Sequence, residues 1–309
     1  MAVEGSTKAV VTALFANLGI AIAKFVAWTI TGASSMLAEA VHSLADTSNQ
    51  ALLLLGGRRA RRAATPAHPF GYGRSRYIYA FIVSIVLFSI GGLFALYEGY
   101  HKLSEPGGLV SPLIAVGVLS VAIIFESYAL WTAVQESNKI RGASSWVEFV
   151  RRAKAPELPV ILLEDVGALV GLVFALLGVG LSALTGNPVW DAVATLGIGV
   201  LLVVIAIILA VETKSLLLGE AGTAQDVERI QAALRAEPLV ERIIHLRTMH
   251  LGPDELLVAA KIAVSHDDTA GEIARGIDAA EQRIRSAVPI ATLIYLEPGL
   301  DASSKVSGR

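Results

Sequence analysis

His42 and Asp46 stand one helical turn apart in the stretch Ala-Glu-Ala-Val-His-Ser-Leu-Ala-Asp, inside an apolar run over residues 33–55. An i, i+4 spacing puts both side chains on one helix face. A second acidic pair, Glu164 and Asp165, interrupts a later apolar run. Ionisable groups at membrane depth are costly and face a partner, a cavity or a permeation path. A neutral imidazole among carboxylates suits a divalent cation such as Zn²⁺. The chemistry at stake is therefore reversible metal coordination. The competing reading is a buried polar pair that hydrogen-bonds neighbouring helices.

Other ionisable residues surround this pair in the sequence. Glu39 precedes His42 by three residues and shares its face, either guarding the outward mouth or sitting near the lipid headgroups. Asp165 is the natural metal partner on the later run. Glu164 points roughly 100° away from it, so it either reaches round to the metal or hydrogen-bonds another helix. Glu126, in Ile-Ile-Phe-Glu-Ser, is a remote ligand, a proton relay or a polar helix contact. Asn49, one turn beyond Asp46, is placed to orient the site. Lys24 and Asp191 lie nearer the ends of their runs and are expected to snorkel or to cap.

The elements that must hold these residues follow from composition. The chain has 309 residues, 54% hydrophobic and only 17% charged, and its mean hydropathy is +0.62. Soluble domains carry about a quarter charged residues, so this is an α-helical membrane protein. The net charge of −2 gives no argument for nucleic acid. Without cysteine there is no disulfide, thiolate ligand or cysteine nucleophile. The polar start Met-Ala-Val-Glu-Gly-Ser-Thr-Lys resembles neither a signal nor a transit peptide, and the first span is expected to serve as insertion signal.

Six transmembrane helices are expected, over residues 10–30, 33–55, 78–97, 113–133, 160–184 and 189–211. The connection after the second carries Arg58, Arg59, Arg61, Arg62, Arg74 and Arg76. The connection after the fourth carries Lys139, Arg141, Arg151, Arg152 and Lys154. The remaining loops hold Lys102 alone, so the basic loops and both termini are expected on the cytoplasmic side. Pro106, Gly107, Gly108, Gly186 and Pro188 suit tight reversals.

From about Gly219 the pattern changes to that of a water-exposed domain. Helical spacing over 226–236, strands over 240–249 and 255–265 around Gly252-Pro253-Asp254, a helix over 269–287 and a strand over 291–297 give the order αββαβ. That order fits a small two-layer α+β domain. The chain thus reads as a transmembrane domain over 1–218, a cytosolic αββαβ domain over 219–300 and a disordered tail over 301–309. His245 and His250 fall on opposite strand faces, and with His266 they form no metal cluster. The sequence contains no phosphate-binding glycine loop, no His-Glu-x-x-His motif and no Gly-x-Ser-x-Gly elbow.

Taken together, Leu-Ala-Glu-Ala-Val-His-Ser-Leu-Ala-Asp at 37–46, His-Pro-Phe-Gly-Tyr-Gly-Arg at 68–74, the six spans and the αββαβ tail resemble the cation diffusion facilitator family. The resemblance implies that His42, Asp46 and Asp165 hold the transported metal. Most members carry His four residues before the fifth-span Asp, whereas this chain has Ile161. Val-Ile-Leu-Leu-Glu-Asp at 160–165, the preceding Ser-Ser-Trp-Val-Glu-Phe-Val and Phe-Glu-Ser resemble the zinc transporter 9 branch. Glu164 or Glu126 is then the replacement ligand. An oxygen ligand in place of imidazole shifts preference towards Mn²⁺ or Fe²⁺.

Accessory zinc sites of the family are expected to be absent or weak, because Lys261 and Tyr295 stand beside Glu297 and Tyr72 stands where a second His can occur near His68. The resemblance further implies a homodimer formed through the C-terminal domain. The expected function is a proton-coupled antiporter exporting Zn²⁺ from the cytoplasm across a bacterial inner membrane, without prosthetic group and not an enzyme. An exporter of Mn²⁺, Fe²⁺ or Co²⁺, a membrane-embedded metalloenzyme and a structural or signalling membrane protein are the alternatives.

Overall fold

A computed structural model describes residues 2–105 and 110–300, with side chains from Asn17 onward. The reversal at Pro106, Gly107 and Gly108 and the tail over 301–309 lie outside the described residues. The chain divides into two compact units. One comprises Met1–Arg58 and Arg76–Lys214; the other comprises Arg59–Ser75 and Ser215–Arg309.

The six expected spans correspond to six long helices that lie in the first unit except for a few terminal residues of α2, α3 and α7: α1 (Ala2–Thr31), α2 (Ser34–Ala60), α3 (Ser75–Ser104), α4 (Pro112–Arg141), α6 (Glu157–Thr185) and α7 (Val189–Leu218). Of these α3, α4, α6 and α7 are long and apolar enough to cross a bilayer by length and composition. The 27-residue α2 is long enough as well, but Glu39, His42 and Asp46 dilute its apolar character. Its start is set by Gly32, whose φ of +66° ends α1 in a left-handed turn. Lys102, near the end of α3, donates to Gly32 O at 2.9 Å.

Glycines let these helices approach closely. A Cβ on Gly92 would come within 2.6 Å of Val203, and one on Gly99 within 2.9 Å of Leu196, so α3 lies directly against α7. Gly178 brings α6 equally close to Trp190 and Ala194. The core between the helices is built from Met36, Val83, Leu87, Leu119, Leu172, Ile198 and Leu202. Two features escape the hydrophobic pattern. Residues Leu87–Leu93 of α3 form a π-helical segment, and a short helix α5 (Trp146–Arg152) is capped by Ser145, whose Oγ accepts from Glu148 N.

The second unit has the expected αββαβ order. It comprises α8 (Ala224–Arg235), β1 (Arg242–Gly252), β2 (Glu255–Val264), α9 (Ala270–Ala287) and β3 (Leu293–Leu300). β1 and β2 form an antiparallel hairpin through the turn after Gly252, and β3 adds parallel to β2. Thr223 caps α8, while Thr269 and Glu272 form a capping box on α9. Ile230, Leu234, Leu256, Val258, Ile262 and Ile284 fill the core between helices and sheet. Segment 59–75 also belongs to this unit. Gly73 abuts the end of β1, where a Cβ would lie 2.8 Å from Leu251 O, so only glycine permits that approach.

Candidate metal-transport site

The polar face of α2 is built from Glu39, His42, Ser43, Asp46 and Asn49, spaced to stack along one side of the helix. The start of the same helix is held by Asp191 of α7. That fully buried carboxylate accepts from Ser34 N at 2.7 Å, Ser34 Oγ at 2.9 Å, Ser35 N at 3.3 Å and Ser35 Oγ. It thereby satisfies the free N–H groups at the start of α2 and complements the helix dipole. The capping expected of Asp191 is real, but the helix it caps is a different one from its own.

His42 is fully buried, and its Nδ1 lies 3.5 Å from Asp46 Oδ1. Among the described residues neither ring nitrogen of His42 nor Oδ1 of Asp46 has a hydrogen-bond partner. Gly91, in the π-helical segment of α3, faces the imidazole: a Cβ there would stand 4.0 Å from Nδ1. Buried polar atoms left unpaired cost roughly 1–3 kcal/mol each, and a bound ion is one of the partners that relieves that cost.

Glu164 is buried and accepts from Asn49 Nδ2 at 2.7 Å. Of the two sequence-based readings of Glu164, the structure shows the hydrogen bond to another helix, and that helix is α2. Asp165 is half-buried, one residue on. Glu164, Glu126 and Asp165 are all near enough to act electrostatically on Asp46. Glu126 joins Asn17, Ile20, Ser43 and Asp46 in lining a small, partly open cavity between α1, α2 and α4. Among the described residues no three His, Asp or Glu side chains converge closely enough to hold a metal ion.

Two sequence expectations are corrected. Lys24 does not snorkel: it is fully buried, its Nζ 3.0 Å from Glu39 Oε2 and 2.7 Å from Ser43 Oγ. Glu39 is likewise fully buried rather than set among headgroups. Their separation in sequence hid the pairing, since Lys24 lies on α1 and Glu39 on α2. A turn at Gly32 brings residues 24 and 39 to one depth in a helical hairpin, and that was the available signal.

In the second unit Lys261 and Glu297 are register partners on β2 and β3, joined at 2.6 Å. Hydrogen bonding from Lys261 and its charge hold the Glu297 carboxyl below its ordinary range. His245 is exposed and His250 buried, as their odd spacing requires. In the segment after α2, His68 packs edge-on against Tyr72 at 4.6 Å.

Comparison with known proteins decides the family. Residues 10–218 match the cation efflux transmembrane domain, and residues 223–299 match the cation efflux protein cytoplasmic domain. The chain belongs to the cation efflux family. A Xenopus laevis protein named proton-coupled zinc antiporter SLC30A9, mitochondrial, is 34% identical over 264 residues, covering 85% of this chain and 47% of that protein. Metal tolerance protein C4 of Arabidopsis thaliana is 29% identical over 84% of this chain and 57% of its own length. Magnetosome protein MamB of Magnetospira sp. is 25% identical over 88% and 90%. The chain spans about half the length of the zinc antiporters it matches. This cation efflux chain is an integral, multi-pass membrane protein.

Proposed function

We propose that this chain is a proton-coupled antiporter that exports Zn²⁺, or a similar divalent ion, from the cytoplasm. His42, Asp46, Asp165 and Glu164 hold the ion, with both termini cytoplasmic and a homodimer formed through the C-terminal domain. The observation that carries the reading is the set of buried atoms on His42 and Asp46 that have no hydrogen-bond partner among the described residues, one turn apart on one helix face. Those atoms bind either a metal ion or protons. Coordination needs a neutral imidazole and ionised carboxylates, so metal and protons exclude one another at the site. Loading requires Glu164 to exchange Asn49 for the ion, which makes the Asn49 amide a holder of the metal-free state.

Glu126 is the second candidate for the fourth ligand, favoured by its place beside Asp46 on the shared cavity. With an acid in place of the usual histidine, Mn²⁺ and Fe²⁺ enter the range of cargoes. Stopped-flow transport in proteoliposomes under an imposed pH gradient, with Zn²⁺, Mn²⁺, Fe²⁺ and Co²⁺ in turn, tests the reading. Flux should be metal-dependent, driven by the gradient, and lost in Asp46→Ala while the protein still inserts and dimerises. Full flux in that variant would remove the site.

A further inference from the structure

The buried Lys24–Glu39 pair has no part in the coordination chemistry above. On α1, Asn17, Ile20 and Lys24 follow one another at i, i+3 and i+7. On α2, Glu39, Ser43 and Asp46 do so at i, i+4 and i+7. The two stripes therefore run along facing sides of a helical hairpin. Asn17, Ile20, Ser43 and Asp46 line the cavity with Glu126. At the end towards the turn at Gly32, Lys24 bonds both Glu39 and Ser43, and the stripes close on each other. Glu39 also rests on α6: a Cβ on Gly171 would stand 2.5 Å from Glu39 Oε1, an atom without a hydrogen-bond partner among the described residues. Three helices thus meet at one carboxylate.

A buried ion pair seldom adds stability over apolar residues of the same size, because desolvation offsets the attraction. Its value lies in having two arrangements. We propose that Lys24 and Glu39 form the gate at the Gly32 end of the cation cavity, with Lys24 a tethered cation that occupies Glu39 until the cargo replaces it. The inference rests on the transport reading above. A divalent ion leaving Asp46 towards Gly32 passes Glu39, where it displaces the ammonium from the carboxylate, one cation for another. Behind it the ammonium returns and the passage closes. Closure of that end is what prevents the ion from slipping through without exchange for protons.

The test measures Zn²⁺ flux and proton flux together in proteoliposomes of the full chain, for Lys24→Met and for Lys24→Met/Glu39→Met. The double variant removes both charges of the pair together, and it decides alone if the single variant does not insert. The expected result is persisting Zn²⁺ flux with the number of protons moved per Zn²⁺ lowered at least twofold. A native proton-to-metal ratio in the double variant would overturn the gate. So would a folded double variant without flux, or failure of both variants to fold, since the pair would then serve passage or architecture rather than closure. Asp46→Ala, run alongside, keeps the two ideas apart: Zn²⁺ flux surviving there sinks the site assignment, whatever ratio the Lys24 variants give.

Discussion

Asp191 and Asp46 are both aspartates within long apolar helices, and the molecule treats them in opposite ways. Asp191 accepts two backbone and two hydroxyl hydrogen bonds from Ser34 and Ser35, which occupies its lone pairs. Asp46 leaves Oδ1 unpaired, 3.5 Å from an imidazole that is itself unpaired. Satisfied burial ties two helices together; unsatisfied burial keeps coordination capacity for something that comes and goes. The Lys261–Glu297 pair on the sheet is a third case, in which water screens both partners and the bond contributes little.

That contrast can be broken by substitution. The largest stability loss should follow Asp191→Ala, about 3 kcal/mol from the lost cap and orphaned serine groups, seen as a lower melting temperature. Zn²⁺ affinity should meanwhile stay within about twofold, because independent sites add. A tenfold loss of affinity would erase the distinction between the two aspartates. Next, His42→Asp should shift preference from Zn²⁺ towards Mn²⁺ by about tenfold in competition binding, since a hard oxygen replaces nitrogen. Unchanged selectivity would argue that His42 does not touch the ion. Ile161→His, one turn before Asp165, should move preference back towards Zn²⁺ by a few fold. No change there would mean that residue 161 does not reach the site.

The smallest effect belongs to the sheet. In Lys261→Ala the Glu297 carboxyl should titrate nearer its ordinary 4.5, followed by carboxyl NMR of the full chain. A carboxyl depressed in the folded state adds stability above its ordinary value, and that stability is lost as pH falls through the depressed one. The variant should therefore lack this small contribution at neutral pH and converge on the native chain in acid, below the depressed value.

Much of the architecture was legible because it rests on periodicity. Apolar runs of span length became the six helices, and the Gly252-Pro253-Asp254 signal became the β1–β2 hairpin. Single-turn features were not legible. The π-helical segment over Leu87–Leu93 carries the same apolar residues as an α-helix, and α5 is too short to leave a pattern. In the site, one-helix relations such as His42 with Asp46 could be read from spacing. Contacts between helices could not: Asn49 with Glu164, Lys24 with Glu39 and Asp191 with Ser34 are set by depth and rotation in the bundle. Segment 59–75, read as a basic loop, packs with the C-terminal domain because Gly73 admits the end of β1.

Calorimetric titration of Zn²⁺ into the native chain and Asp46→Asn tests the central claim most directly. The isosteric change keeps the packing and removes the charge of the unpaired carboxylate. The account predicts at least about a hundredfold weaker binding, near 2.7 kcal/mol, with the melting temperature of the metal-free protein unchanged. Native affinity in Asp46→Asn would contradict it.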